Sequence, residues 1–279
     1  MGTLKPYLKW AGGKRQHLTE IKKSLPPGFE GLRYYEPFVG AGAVLFELKP
    51  KRAVINDFNS QLILTYNVIK EDAEELVSLL ELHKKNHGKK YYYDIRNLDR
   101  DGEKFNAMGD LDKAGRLIYL NKTCFNGLYR VNSSGHFNVP FGRYRNPGIC
   151  EAGLLHEVSH YLNTNDIIIL NEDFEKAVST ADENSFVYFD PPYHSRNKSN
   201  FTGYQAGGFN EAEQERLCNC MAKLTERGVK CLLSNSDTEF IRKLYSGFHI
   251  TQIKATRRIN SDSCGRGEIN ELLIRNWSP

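Results

Sequence analysis

The tetrapeptide Asp190-Pro-Pro-Tyr193 directly follows the apolar run Phe186-Val-Tyr-Phe189 and is the most specific chemical signal in the chain. A double proline fixes two φ angles, removes two backbone donors and pushes Asp190 into an extended conformation. The four residues therefore form a stiff corner that holds a carboxylate, a free carbonyl and an aromatic face in fixed relation. Such groups suit the methylation of an amino group conjugated with a ring. The nitrogen lone pair must be freed from the ring. Two acceptors on its hydrogens, the Asp190 carboxylate and the Pro191 carbonyl, favour the more tetrahedral, nucleophilic state. Pro192 completes the corner and Tyr193 is available to stack on the ring. The competing structural reading of the tetrapeptide is a plain β-turn.

A second cluster lies upstream. Glu36-Pro-Phe-Val-Gly-Ala-Gly42 falls between an expected strand and an expected helix, where glycines let the backbone turn tightly and approach a ligand. It is a poor dinucleotide fingerprint, because Leu45 stands where the third glycine belongs. Gly12-Gly13-Lys14 is no P-loop either: Leu8 replaces the upstream glycine and Arg15 the Ser or Thr that would hold magnesium. Asp57 ends the next strand. A carboxylate at the carboxyl end of a strand in an open α/β sheet can accept two ribose hydroxyls, and the alternative role is a helix cap or turn before Ser60.

These groups need a scaffold that brings strand ends together. The first part of the chain alternates in the βαβ manner, with an extended segment Leu32 to Glu36, a helix from Ala43, a strand Ala53 to Asp57 and a helix from Ser60. The pattern resumes with Ile167 to Leu170, a β-branched run of the fully buried kind, followed by Phe186 to Asp190 and Lys230 to Ser234. Thr251 to Arg258 and Ile269 to Asn276 suggest a terminal hairpin at a sheet edge. The expected fold is α/β, a Rossmann-like parallel sheet built from residues 1–70 plus 166–279 and split by an inserted, mainly helical segment, 71–165. Leu76, Leu79, Leu80 and His83 recur there at helical spacing, and a second amphipathic stretch runs from Leu111 to Cys124.

Composition narrows the function classes. With 40% hydrophobic residues in 279, the chain can build one sizeable core or a core plus a smaller lobe. No stretch approaches the roughly 20 apolar residues of a membrane span, and a cytoplasmic protein, nucleoid-associated through DNA, is expected. The six cysteines are scattered and read as reduced thiols; Cys218-x-Cys220 sits in a helical pattern and no metal site is expected. The net charge of +4 is small, but its distribution is uneven. Between Asp112 and Glu151 there is no acidic residue, while Lys113, Arg116, Lys122, Arg130, Arg143 and Arg145 are interleaved with asparagines and aromatics. That window reads either as a solvated basic surface or as a nucleic-acid face, where cations hold phosphates while amides and aromatics meet bases.

Taken in order along the chain, these blocks resemble the Dam-type (α-order) DNA adenine-N6 methyltransferases over nearly the whole length. Lys9-Trp10-Ala-Gly-Gly-Lys14 looks like that family's N-terminal cofactor motif, Glu36 to Gly42 its glycine motif and Asp190 to Tyr193 its catalytic tetrapeptide. Phe125-Asn-Gly-Leu-Tyr-Arg130 and Phe137-Asn-Val-Pro-Phe-Gly-Arg-Tyr144 look like its recognition loop and hairpin. The resemblance implies S-adenosyl-L-methionine as cofactor, with contacts at Trp10, Lys14, Asp57 and Asp190 and in the glycine motif at Glu36, Phe38, Gly40 and Gly42; Phe174 would lie near the cofactor's adenine. It implies double-stranded DNA as the partner and GATC as the sequence, with recognition mapping onto Lys9, Leu128, Arg130 and Pro140. Phe125 would enter the base stack beside Asn126, and Arg143 and Tyr144 would contact the DNA. Phe125 departs from the tyrosine common in the family, which keeps the stacking ring and loses a hydroxyl.

The reaction so implied is transfer of a methyl group to adenine N6 of a base flipped out of the duplex, by direct in-line attack without a covalent enzyme intermediate. No Pro-Cys dipeptide, the cytosine-C5 nucleophile motif, is present, and no deaminase signature. The rivals are another planar amine (cytosine N4, an RNA base or a glutamine amide) and a catalytically silent reader of GATC. Asp190, where cytosine-N4 enzymes usually carry Ser, argues mildly against cytosine N4, the basic, aromatic insertion argues against a protein substrate, and the retained Trp10, Lys14, Asp57 and intact Asp-Pro-Pro-Tyr argue against the reader. No membrane and no obligate protein partner are expected. Secondary expectations are that Arg257, Arg258 and Arg266 either meet phosphates or are merely solvated, that Tyr91, Tyr92 and Tyr93 make a helix–helix contact rather than extend the DNA surface, and that a glycine-rich lid runs from His194 and Ser195 past Gly203, Gly207 and Gly208.

Overall fold

Among the described residues seven strands form one sheet: β1 Arg33–Glu36, β2 Arg52–Asn56, β3 Asp166–Leu170, β4 Ser185–Phe189, β5 Lys230–Ser236, β6 His249–Thr256 and β7 Glu268–Arg275. The structure is a computed structural model and describes residues 4–10, 12–14, 16–194, 209–256 and 268–278. The expected lid beyond His194 and Arg257, Arg258 and Arg266 lie outside the described residues. Strand order is β3-β2-β1-β4-β5-β7-β6. The first five strands pair in parallel, and the terminal hairpin adds β7 antiparallel to β5 with β6 at the edge. β1 therefore sits between β2 and β4, and chain order reverses there. In open α/β sheets that reversal opens a crevice at the carboxyl ends of the strands. Glu36, Asp57 and Asp190 all stand at those ends.

β4 is buried along its whole length, as its unbroken apolar sequence requires of a central strand. β3 corrects the expectation. Its Ile-Ile-Ile-Leu run reads as fully buried, yet Ile168 is 44% exposed because β3 is an edge strand. Gly42 opens the helix Ala43–Leu48 in a left-handed conformation, φ +76°. A Cβ there would meet the Phe46 ring and the Tyr66 hydroxyl at 2.8 Å. Gly42→Ala is expected to lower stability by about 1–3 kcal/mol, seen as a lower denaturant midpoint with unchanged slope. The next helix, Ser60–Glu71, is capped by Asn59, whose side chain accepts from Leu62 N–H. Asp57 is thereby left out of the cap.

Residues 71–165 form helices Ala73–Lys85, Lys89–Asn97, Gly102–Ala107 and Asp110–Thr123, an irregular segment with bridges Cys124↔Phe141 and Val131↔Phe137, and the returning helix Ala152–Thr164. Leu76, Leu80, Ala114 and Ile118 join the main core beside the sheet. A separate small core of Tyr92, Tyr119, Leu120, Cys124, Phe137, Val139 and Ile149 sits under the irregular segment. Tyr92 donates to the Val139 carbonyl (2.8 Å), so the tyrosine helix supports that segment from beneath.

The basic window divides on inspection. Arg116 is 1% exposed, 2.7 Å from Asp99, and donates to the carbonyls of Ile95 and Arg96. Lys122 pairs with Glu151 at 2.7 Å. Both are structural cations, because helix periodicity turns Arg116 inward with Leu117 and Leu120. Arg130, Arg143 and Arg145 remain exposed.

Candidate active site

The Asp-Pro-Pro-Tyr corner leaves the end of β4 beside the reversal in strand order. Asp190 Oδ1 lies 2.7 Å from Lys14 Nζ and accepts from Ser234 Oγ at 3.0 Å. Ser234 in turn meets the Tyr188 hydroxyl at 2.9 Å. Lys14 is buried, donates to the Gly12 carbonyl and stands 4.5 Å over the Tyr193 ring. Burial raises the Asp190 pKa above the usual carboxylate range, partly offset by Lys14 and Ser234. Tyr193 is held by its hydroxyl, which donates to Glu271 at 3.0 Å. His17 Nε2 lies 3.2 Å from the same carboxylate, at ion-pair distance but off a hydrogen-bonding line. Burial pushes Glu271 up, but His17, Lys14 and Tyr193 outweigh it and hold its pKa below the ordinary value.

Next to this corner, the glycine loop and Asp57 face each other. Asp57 accepts from Gly40 N–H (3.1 Å) and Asn59 N–H (2.9 Å), and burial nonetheless raises its pKa to about 6. Glu36 is buried, accepts from the Tyr34 hydroxyl at 2.8 Å, and has its pKa raised well above the usual range by desolvation. The Trp10 indole rests so close to Gly40 that a Cβ there would stand 3.1 Å from it. Phe38 and Phe174 pack at 5.6 Å and, with Phe58, Phe209 and Asn56, line a recess just beyond Asp57. Arg216, paired with Asp173, Glu175 and Glu213, stands 4.4 Å over the Phe174 ring. All nine sequence-derived cofactor positions thus fall along the strand ends from Trp10 to Phe174.

The residues expected to meet DNA gather on an adjoining face. The Lys9 backbone is clamped by Asn121, which accepts its N–H (2.9 Å), donates to its carbonyl (2.7 Å) and donates to Gly127 (3.0 Å). Lys9 Nζ lies 4.3 Å over the Tyr144 ring. Trp10 stacks on Tyr129 at 5.1 Å, so the cofactor motif and the recognition loop are in direct contact. Phe125 is 51% exposed, an unusual position for a large aromatic, and follows a helix end tied to the hairpin by Phe125 N–H to the Pro140 carbonyl. Asn126 beside it takes a left-handed backbone, φ 55°. Asn138 binds one edge of the Arg130 guanidinium, through Nε (2.6 Å) and Nη2 (3.3 Å). Leu128 and Tyr144 are half-buried in the same face, and Pro140 and Arg143 are exposed.

Comparison with known proteins decides what this arrangement belongs to. Residues 10–259 match the family described as D12 class N6 adenine-specific DNA methyltransferase. The chain belongs to that family. It is 45% identical over 98% of its length to the type II methyltransferase M1.LlaDCHI of Lactococcus lactis subsp. cremoris, covering 96% of that protein. It is 45% identical to the type II methyltransferase M.MjaIII of Methanocaldococcus jannaschii, with 98% and 99% covered. The DNA adenine methylase of Escherichia coli K12 shares 38% identity, with 96% and 93% covered. The protein is accordingly an adenine-specific DNA methyltransferase, and the family implies an S-adenosylmethionine methyl donor. No helix among the described residues is long and apolar enough to cross a membrane.

Several members of the site carried no motif in the sequence. Glu271 and Ser234 arrive from β7 and β5, His17 from just after the lysine motif, and Asn121 from the insertion. The available signal for Glu271 was a lone carboxylate inside the apolar run Ile269 to Ile274. A buried charge in a strand implies a partner, but not which one.

Proposed function

We propose that this protein methylates N6 of adenine within GATC in duplex DNA, after extruding the target base into the corner formed by Asp190 to Tyr193. The observation that carries this reading is the Asp190 carboxylate, fixed at 2.7 Å from a buried lysine beside a proline carbonyl. The residues present fit the donor: a carboxylate at a strand end suits the ribose hydroxyls, the Phe38/Phe174 pair offers aromatic faces to a heterocycle, and the Trp10 indole packs on the glycine loop beside them. Asp57 would hold the ribose, Phe174 and Phe38 the adenine, and Trp10, Lys14, Glu36, Gly40, Gly42 and Asp190 the rest of S-adenosylmethionine. When bound, that molecule supplies an activated methyl group on a sulfonium.

The chain's own residues prepare the acceptor. Asp190 and the Pro191 carbonyl take the two amino hydrogens, which turns the nitrogen lone pair away from conjugation with the ring. The amine gives up one proton as the new N–C bond forms, and Asp190, its basicity raised by burial, is placed to receive it. Tyr193 offers a ring face whose hydroxyl end is anchored by its bond to Glu271. Flipping costs a few kcal/mol of stacking and pairing. Phe125, exposed at the rim, fills the gap left in the duplex.

For the DNA lobe we propose residues 71–165, whose small core under the irregular segment supports Phe125, Arg130 and the hairpin. Asn138 occupies one edge of Arg130, leaving the other edge for O6 and N7 of guanine. The deciding experiment is transfer of radiolabelled methyl to two duplexes, one containing GATC and one with its adenine replaced, followed by nucleoside analysis. N6-methyladenine from the first alone is expected. Label in both would discard GATC; label in neither, despite cofactor binding, would discard the reaction.

Asp57 yields a separate prediction. Ribose hydroxyls donate to an ionised carboxylate, so binding favours the charged form of a group that titrates at about 6. Affinity should fall as pH drops through that value, and binding near pH 6 should release a proton. Calorimetry at pH 6 in two buffers of different ionisation enthalpy should show it, and Asp57→Asn should abolish the difference.

A further inference from the structure

The Asp-Pro-Pro-Tyr corner has a second support that neither its motif nor the reaction assigns. Gln214, in the helix Glu211–Glu226, is fully buried on the face that also carries Leu217, Met221 and Leu224. Its Nε2 donates to the Pro192 carbonyl at 2.9 Å. Its Oε1 accepts from Asn235 Nδ2 at 2.9 Å, and Asn235 is also fully buried. Asn235 Oδ1 in turn accepts from His194 N–H (3.2 Å) and Ser236 N–H (2.8 Å). The backbone donors fix which way the Asn235 amide points. That choice fixes the Gln214 amide, and all the donors then run in one direction towards Pro192. Aligned amides in a dry interior polarise one another.

The corner needs such a prop. Prolines have no N–H to anchor them, and β4 ends its pairing with β5 at Phe189↔Leu233, one residue before Asp190. Beyond that point the Gln214–Asn235 pair takes the Pro192 carbonyl and the His194 amide, while Ser236 Oγ donates to the His194 carbonyl at 2.6 Å. No hydrogen-bond donor among the described residues is seen on the Pro191 carbonyl. The two carbonyls of the corner are thus distinguished: one is tied down and the other is free for substrate.

We infer that Gln214 is a positioning residue for methyl transfer: by holding the Pro192 carbonyl it sets the plane of the Pro192–Tyr193 peptide, and with it the direction of the Tyr193 ring and the free Pro191 carbonyl. This rests on the reading of the corner as the methyl-transfer site. Misplacing reacting groups by about 1 Å costs up to about a hundredfold in rate. Gln214→Met keeps the volume and removes the donor. Its kcat should fall between about tenfold and a hundredfold, with KM for DNA and cofactor within about twofold of wild type. Gln214→Glu guards against a folding failure and adds a readout that packing alone would not move. Only its protonated form can donate to Pro192, so the ratio of its kcat to that of wild type should rise as pH is lowered. Taking the ratio cancels the titration of Asp190, Tyr193, His194, Glu211 and Glu271 around the corner. A folded Gln214→Met enzyme with wild-type kcat, or a ratio for Gln214→Glu that is flat with pH, would overturn the inference. Asp190→Ala measured in parallel separates the two levels. If Asp190→Ala is inactive and Gln214→Met is normal, the inference alone fails; if Asp190→Ala is active, the reading of the corner fails with it.

Discussion

Asp190→Ala is expected to lower kcat by about a thousandfold while leaving the affinity for duplex DNA within about a factor of two. The proposed DNA face, Lys9 and the segment around Phe125 to Tyr144, makes no bond to Asp190, so binding of the duplex should survive. The loss should fall on the chemical step, because the carboxylate is needed most when the amine has begun to rehybridise. It also leaves Lys14 buried without its 2.7 Å partner, so cofactor affinity and melting temperature should drop together. Single-turnover methylation separates these effects from product release. Retention of more than about a tenth of wild-type single-turnover rate would remove Asp190 from the mechanism.

The pH dependence carries the same sign. The proposed mechanism needs the ionised carboxylate, whose pKa in the folded protein is raised by burial. Activity is therefore present above that value and lost as pH falls through it, and the acidic limb of kcat should lie above the ordinary carboxylate range. Removing the charge of Lys14 removes a lowering influence. Lys14→Met, at saturating cofactor, should move the limb to higher pH.

The strand ends that carry chemistry were legible because each motif is a local contradiction: glycines where a helix starts, prolines where a strand should go on, a carboxylate after an apolar run. Architecture followed from alternation. What stayed hidden depends on partners distant in sequence. Ile168 has the composition of a buried strand, and only its place at the edge, with β2 on one side alone, exposes it. Arg116 counts as basic surface until Asp99 comes beneath it. Glu271, Ser234 and Gln214 reach the corner from three different elements, and no spacing rule joins residues that meet only after the sheet has formed. The acid-free stretch from 113 to 150 pointed to a basic face in aggregate, while the identity of its exposed members, Arg130, Arg143 and Arg145, required the fold.

Arg130 is where the proposed specificity is most exposed to test. Asn138 holds its Nε edge, and that contact fixes the guanidinium plane before DNA arrives. Less rotamer freedom then remains to be lost on binding, and the outer edge can form two parallel bonds to one guanine. A bidentate pair of this kind discriminates against the wrong base by about 1–3 kcal/mol, roughly tenfold to over a hundredfold. Arg130→Ala should therefore lower kcat/KM on GATC by that factor while barely changing kcat/KM on a duplex altered at the contacted guanine. Discrimination collapses because the correct site becomes worse. Arg143→Ala, by contrast, removes an exposed cation that reads no base edge. It should weaken all duplexes alike and reduce the salt dependence of binding by about one phosphate contact. If Arg130→Ala behaved like Arg143→Ala, falling equally on both duplexes, Arg130 would be a phosphate clamp, and the recognition of guanine would have to come from elsewhere on this face.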